Sequence, residues 1–161
     1  MKVLGVDPGY DRLGLAIVEG DGRGGGKWVW SETAKTDRTL PHHERLLQVR
    51  LAVSSAIATN KPTAVAVEKL FWSKNQTTAM PVAEARGVVL AEAASAGCAV
   101  FEYNPQEIKL AVAGDGRAEK KAVEKMARLL AGVGSRKMGD DEADAIAVAL
   151  TCLARERFPR R

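Results

Sequence analysis

Residues 1–20 read MKVLGVDPGYDRLGLAIVEG. Val3-Leu4-Gly5-Val6 is apolar without alternation, the mark of a strand covered on both faces. The run ends in a carboxylate, Asp7, and turns at Pro8-Gly9. A carboxylate buried there without a partner is costly. Asp7 therefore demands something positive beside it.

The segments that follow set out the frame for an α/β fold. Residues 2–7, 14–18 and 27–31 read as three short strands in an antiparallel meander. The glycine-rich stretch 20–26 reads as a hairpin tip, since no GK[ST] helix start follows it. Residues 41–60 turn helical, with Leu46, Leu47, Leu51, Ser54 and Ile57 at 3–4 spacing as the expected core stripe. Asn60-Lys61-Pro62 ends that helix. Ala64-Val65-Ala66-Val67-Glu68 is a fourth strand, again closing on an acid. A polar loop with aromatics is expected over 69–78, then an alanine-rich helix from Pro81 to Ala96 closed by Gly97. Cys98 to Glu102 is the fifth strand. Asn104 caps a short helix beginning at Pro105. Helices over about 118–130 and 141–155 complete the chain, with the loop 132–139 between them. The order predicts a mixed five-stranded sheet flanked by helices on both faces. The first and fourth strands are expected side by side and parallel. Asp7 and Glu68 then emerge together at the strand ends where open α/β sheets place ligands.

The chain has 161 residues, 46% hydrophobic and 27% charged, with a net charge of +4. Those values suit one globular domain spanning 1–161 with a basic tail from about 156. The mild positive balance points to a polyanion partner or to an ordinary solvated surface. No apolar run approaches the roughly 20 residues of a membrane span, and no basic-then-apolar leader opens the chain. Cys98 and Cys152 sit in apolar segments and read as buried thiols of a reducing, cytoplasmic compartment.

The last helix opens GDDEADAIAVAL. Asp141 and Asp144 are three apart and share a helix face, while Ile146, Ala147 and Leu150 supply the stripe for the sheet. Taken alone, acids in a first turn are explained by helix capping and the dipole. Joined to Asp7 and Glu68 they read differently. Four carboxylates brought together repel unless a divalent cation sits among them. Oxygen-only ligands favour Mg²⁺ or Mn²⁺. Two such ions activate a water and stabilise the leaving oxygen of a phosphodiester. His42-His43 lacks partners at zinc-ligand spacing and reads as surface.

The same segments resemble the RuvC-type Holliday-junction resolvases of the ribonuclease H-like superfamily. LGVDPGYDRLGLAI resembles the family's first-strand motif. VAVEKLFWSKNQTTA and EARGVVLAEAA resemble its second acidic strand, DNA-facing loop and following helix. FEYNPQEIKLAVAGDGRAEKKAV and DDEADAIAVALTC resemble its later segments. The resemblance implies a homodimer that nicks two like-polarity strands of a four-way junction. It implies two Mg²⁺ or Mn²⁺ ions per site and a partnership with the RuvA–RuvB machinery. By position, Asp7, Glu68, Asp141 and Asp144 match the family's catalytic, metal-holding carboxylates. Asp140 and Glu142 flank the matched acid, and a register using Asp140 also shares one face. Pro81 departs from the family's usual helix start.

DNA contacts are expected from two groups. Phe71, Trp72, Lys74 and Asn75 follow Glu68, where aromatics stack on bases or wedge a step; Trp72 serves equally as a core plug. Lys109, Arg117, Lys120 and Lys121 bracket the loop 114–116 and are placed to bind phosphates. Lys125 extends that face, and Arg155, Arg157, Arg160 and Arg161 read as a frayed tail. Competing readings are a hybrid-cleaving ribonuclease H, a non-cleaving junction binder, and an ATP-binding module. The last would require a second domain and a second phosphate loop, which the sequence lacks.

Overall fold

A computed structural model describes residues 1–70 and 76–156, with side chains at 76–78 excluded. The expectations for Phe71, Trp72, Lys74, Asn75 and the arginines after 156 lie outside the described residues. The strands are β1 (Lys2–Asp7), β2 (Arg12–Gly20), β3 (Gly26–Lys35), β4 (Ala64–Glu68) and β5 (Ala99–Tyr103). The helices are α1 (His42–Asn60), α2 (Gln76–Ser95), α3 (Pro105–Ala113), α4 (Lys120–Leu130) and α5 (Asp140–Arg155). The sheet order is β3-β2-β1-β4-β5. β1 pairs antiparallel with β2 and parallel with β4, as the apolar runs predict.

Side chains alternate across each strand, and the two faces carry two cores. Leu4, Val6, Leu15, Ile17, Val65 and Val67 pack with Val49 and Val53 of α1 and Ala85 and Val89 of α2. Val3, Ala16, Val18, Ala64 and Ala66 pack with α3, α4 and α5. The same alternation carries Asp7, Glu68 and Arg12 onto the α5 face, in step with Gly5, Ala66 and Gly14.

Helix α5 lies directly on the strands because two glycines let it. A Cβ at Gly5 would stand 2.0 Å from the Ala145 carbonyl oxygen, and one at Gly14 would stand 2.1 Å from that of Asp141. No side chain fits in either gap. The helix is buried nearly continuously from Ala145 to Leu153, since β1, β2, α3 and α4 all pack on it.

Three expectations change. The buried residues of α1 are Arg45, Val49, Val53 and Ala56; Leu46 and Ile57 pack against the core as expected, whereas Leu47 and Leu51 are 48% and 56% exposed. Two apolar stripes share one period, and spacing does not say which meets the sheet. Pro81 sits inside α2 and does not open it; there it removes the hydrogen bond to the carbonyl four residues back and its ring crowds that carbonyl. Arg155 is not part of a frayed tail: it ends α5, 3.2 Å from Glu107 and over the Tyr103 ring. The Asn104 cap stands as expected, with its side chain accepting from the Glu107 N–H and Glu107 returning the bond.

A Gly5→Ala variant is expected to lose about 2–4 kcal/mol of stability, since overpacking against backbone has no flexible side chain to yield. Urea unfolding measures it; a loss below about 0.5 kcal/mol, the ordinary surface range, would mean that α5 lifts freely from the sheet.

Candidate active site

The ends of β1 and β4 and the first turns of α5 meet beside α3 and α4. Asp7, Glu68 and Asp144 line one open cleft of about 420 Å³, together with Lys109 and Lys120. Ile108, Val123, Ala147 and Val148 form its apolar lining. Asp141 does not line the cleft, although its charge reaches Asp7; its carboxylate lies 2.6 Å from the Arg12 guanidinium. Lys120 reaches across from α4 to Asp144 at 2.9 Å. Each of the two α5 acids therefore meets a cation from this chain.

The crowding of charge shows in the ionisation of these groups. Burial, then Asp144, Glu68 and Asp141, push the Asp7 carboxyl up to about 7, with Lys120 opposing. Burial and then Asp144 raise Glu68, against Lys120 and Lys109. Burial also raises Asp144, against its bond to Lys120. Lys120 is held above its ordinary value, first by that same bond. Among the described residues Asp7 thus has no ion pair of its own, only the more distant field of Lys120.

Among the described residues no three His, Cys, Asp or Glu side chains stand at metal-holding distances. The acids are near enough to feel one another, and Arg12 and Lys120 hold two of them. The donor set still suits a hard divalent ion: oxygen ligands only, buried, and short of positive charge.

The flanking acids have separate places. Asp140 is exposed and does not line the cleft. Glu142 faces the sheet edge instead. Its carboxylate accepts from the Gly139 N–H at 3.2 Å and from the Ser31 hydroxyl at 2.6 Å. The Trp28 indole N–H donates to that hydroxyl at 3.1 Å. The chain Trp28–Ser31–Glu142 ties β3 to the start of α5 and so fixes where Asp141 and Asp144 project. Glu68 is anchored from α2, where the Arg86 guanidinium donates to its backbone carbonyl at 3.2 Å and pairs with Glu102 on β5. Sequence reading missed Arg12, Arg86, Ser31 and Glu142 as supports. A lone arginine in the alanine-rich EARG stretch is the one local signal for any of them.

Of the expected phosphate-binding residues, Lys109 and Lys120 line the cleft. Arg117 and Lys121 are exposed outside that lining. The His42 ring has partners after all, bridging the Tyr10 hydroxyl and Glu84.

Comparison with known proteins decides the family. A profile described as "Crossover junction endodeoxyribonuclease RuvC" matches residues 3–152. The chain belongs to the RuvC family. The RuvC of Heliobacterium modesticaldum is 41% identical over 152 residues, covering 94% of this chain and 93% of the relative. The structure of Thermus thermophilus RuvC superposes with a TM-score of 0.85 at 37% identity, covering 94% of this chain and 92% of that one. The same protein in complex with a Holliday junction substrate gives 0.87 at 36% identity, with the same coverage. The fold is therefore the ribonuclease H-like one.

Two outcomes follow. Ser31→Ala strands one Glu142 oxygen and the Trp28 N–H, and is expected to cost about 1–3 kcal/mol in thermal or urea unfolding; an unchanged midpoint would show that β3 does not hold α5. In metal-free buffer the folded state keeps the Asp7 proton to about pH 7, while the unfolded chain releases it near pH 4. Stability therefore falls as pH rises through that window. Asp7→Asn is expected to be more stable than wild type by up to about 4 kcal/mol at pH 8, with the gain vanishing toward pH 4. Thermal melts in EDTA across pH measure it, and a pH-independent difference would contradict it.

Proposed function

We propose that Asp7, Glu68, Asp141 and Asp144 hold two divalent ions, Mg²⁺ or Mn²⁺, at the scissile phosphate of a four-way DNA junction. As a RuvC-family member the chain is a metal-dependent endonuclease that resolves Holliday junctions in recombination and repair. One observation carries the assignment of the site: acids from β1, β4 and α5 share a cleft that raises the Asp7 carboxyl to about 7. When bound, the ions supply an activated water and a counter-charge for the leaving oxygen.

The chain's own residues supply position. Strand ends fix Asp7 and Glu68, and the glycine contacts under α5 fix the other two acids. Lys109 and Lys120 flank the cleft and neutralise phosphate charge, with Arg117 and Lys121 extending the basic surface. Phe71, Lys74 and Asn75 follow Glu68 directly in sequence and complete the DNA contacts. Such phosphate contacts give affinity without sequence information.

Two cuts of matched polarity require two such sites, so the working form is a homodimer. The outward side of α1 and α2 supports this: Leu47, Leu51 and Met80 are exposed, and Gly87 faces open space. Residues 1–161 act as one nuclease domain, in partnership with RuvA–RuvB. Two unpaired thiols, Cys98 and Cys152, and a DNA substrate support the cytoplasm as its place. No helix among the described residues is long and apolar enough to cross a membrane.

Asp7→Asn is expected to lower nicking of a labelled mobile junction in Mg²⁺ by at least about a hundredfold to a thousandfold, with junction binding in EDTA retained. Gel mapping of the cuts and fluorescence anisotropy measure the two. Wild-type nicking in the variant would remove the carboxylate from the chemistry, and a preference of wild type for RNA–DNA hybrid over junction would overturn the substrate.

A further inference from the structure

We propose that Arg12 is a displaceable counter-charge of Asp141: a divalent ion entering the site releases its guanidinium, which then grips a DNA phosphate. The inference rests on the metal site proposed above.

Arg12 reaches Asp141 because of the fold, across 129 residues of sequence. The register pairs Asp7 with Gly14, so β2 begins beside the acidic end of β1. Gly14 admits the Asp141 backbone onto the strand. Alternation points Arg12, two residues earlier, to the same face. Its Nε and a terminal nitrogen both bond one oxygen, Oδ2, at 2.7 and 2.6 Å.

The pair is made to be broken. The Arg12 side chain is 53% exposed and that of Asp141 21%. Ion pairs this open to water contribute about 0–1 kcal/mol, too little to hold the helix, which its glycine contacts already seat. A divalent ion carries twice the charge and draws on Asp7, Glu68 and Asp144 as well, so it outcompetes a single guanidinium. Released, Arg12 stays at the cleft's edge with its fork of donors suited to phosphate. Its cross-strand partner is the exposed Lys35. Arg38 is paired to Asp11, which is not one of the proposed metal-holding acids, so an entering ion does not release it. Arg12 and Lys35 thus form a basic rim near Asp141, while Lys109 and Lys120 line the cleft itself. The backbone of a DNA strand crossing the cleft meets cations from both groups.

The test uses the full chain as wild type, Arg12→Ala and Arg12→Lys. Mn²⁺ is titrated without DNA and followed by electron paramagnetic resonance. Junction binding is followed by anisotropy in Ca²⁺ over a salt series. Arg12→Ala is expected to bind Mn²⁺ about threefold to tenfold more tightly, because a repelling cation is gone. The same variant is expected to bind the junction more weakly, with a salt slope smaller by about one. Arg12→Lys is expected to restore both in part. A merely structural role moves the first reading the other way, since loosening Asp141 weakens metal binding. Unchanged or weaker Mn²⁺ binding in Arg12→Ala, or an unchanged salt slope, overturns the inference. If wild type itself takes up no Mn²⁺, the metal-site reading falls and this inference with it. Wild-type uptake matched by Arg12→Ala defeats this inference alone.

Discussion

The site depends on the absence of two side chains. Helix α5 rests its backbone on Gly5 of β1 and Gly14 of β2, with gaps that no Cβ can enter. That contact sets the depth of the helix against the sheet. It thereby sets how far Asp141 and Asp144 stand from the carboxylates that end β1 and β4. Everything chemical at the cleft follows from this spacing, including the raised Asp7 carboxyl and the reach of Arg12 to Asp141. Glu142, Ser31 and Trp28 add the lateral tie, and Arg86 does the same for Glu68.

Such a cluster is electrostatically unsettled by design of its surroundings. Burial opposes charge on Asp7, Glu68 and Asp144, and the acids oppose one another. The chain answers with two partly exposed cations, Arg12 and Lys120, each on one acid of α5. Neither sits deep, and Lys120 lines the cleft itself. The arrangement proposed for Arg12 is one of exchange: a divalent ion takes Asp141 with more ligands, and the freed guanidinium faces the substrate.

The neighbouring places of β1 and β4, and so of Asp7 and Glu68, were legible in residues 1–7 and 64–68. An apolar run with no alternation and an acid at its end predicts a central strand with a functional tip, and two such runs predict neighbours. The Asn104-Pro105 cap was equally plain, because capping is local chemistry. The face of α1 was not legible, since the stripe through Leu47 and Leu51 has the same period as the one through Val49 and Val53. The onset of α2 was hidden because Pro81 reads as a first-turn residue, whereas the helix carries it inside at a cost. The strand β3 runs on to Lys35 through polar residues, as an edge strand can. The Arg12–Asp141 and Ser31–Glu142 contacts join residues more than a hundred positions apart, and no local pattern announces them. Belonging to the RuvC family was visible from the order of the motifs, and the profile match over residues 3–152 agrees with it.

The central claim is that acids distant in sequence jointly hold divalent ions. Crystals grown with Mn²⁺ and measured at the manganese absorption edge test it most directly. The account predicts anomalous density bounded by the carboxylates of Asp7, Glu68, Asp141 and Asp144, with the Arg12 guanidinium withdrawn from Asp141. Fully ordered crystals with no anomalous density in that cleft, or with manganese held elsewhere on the chain, would contradict it.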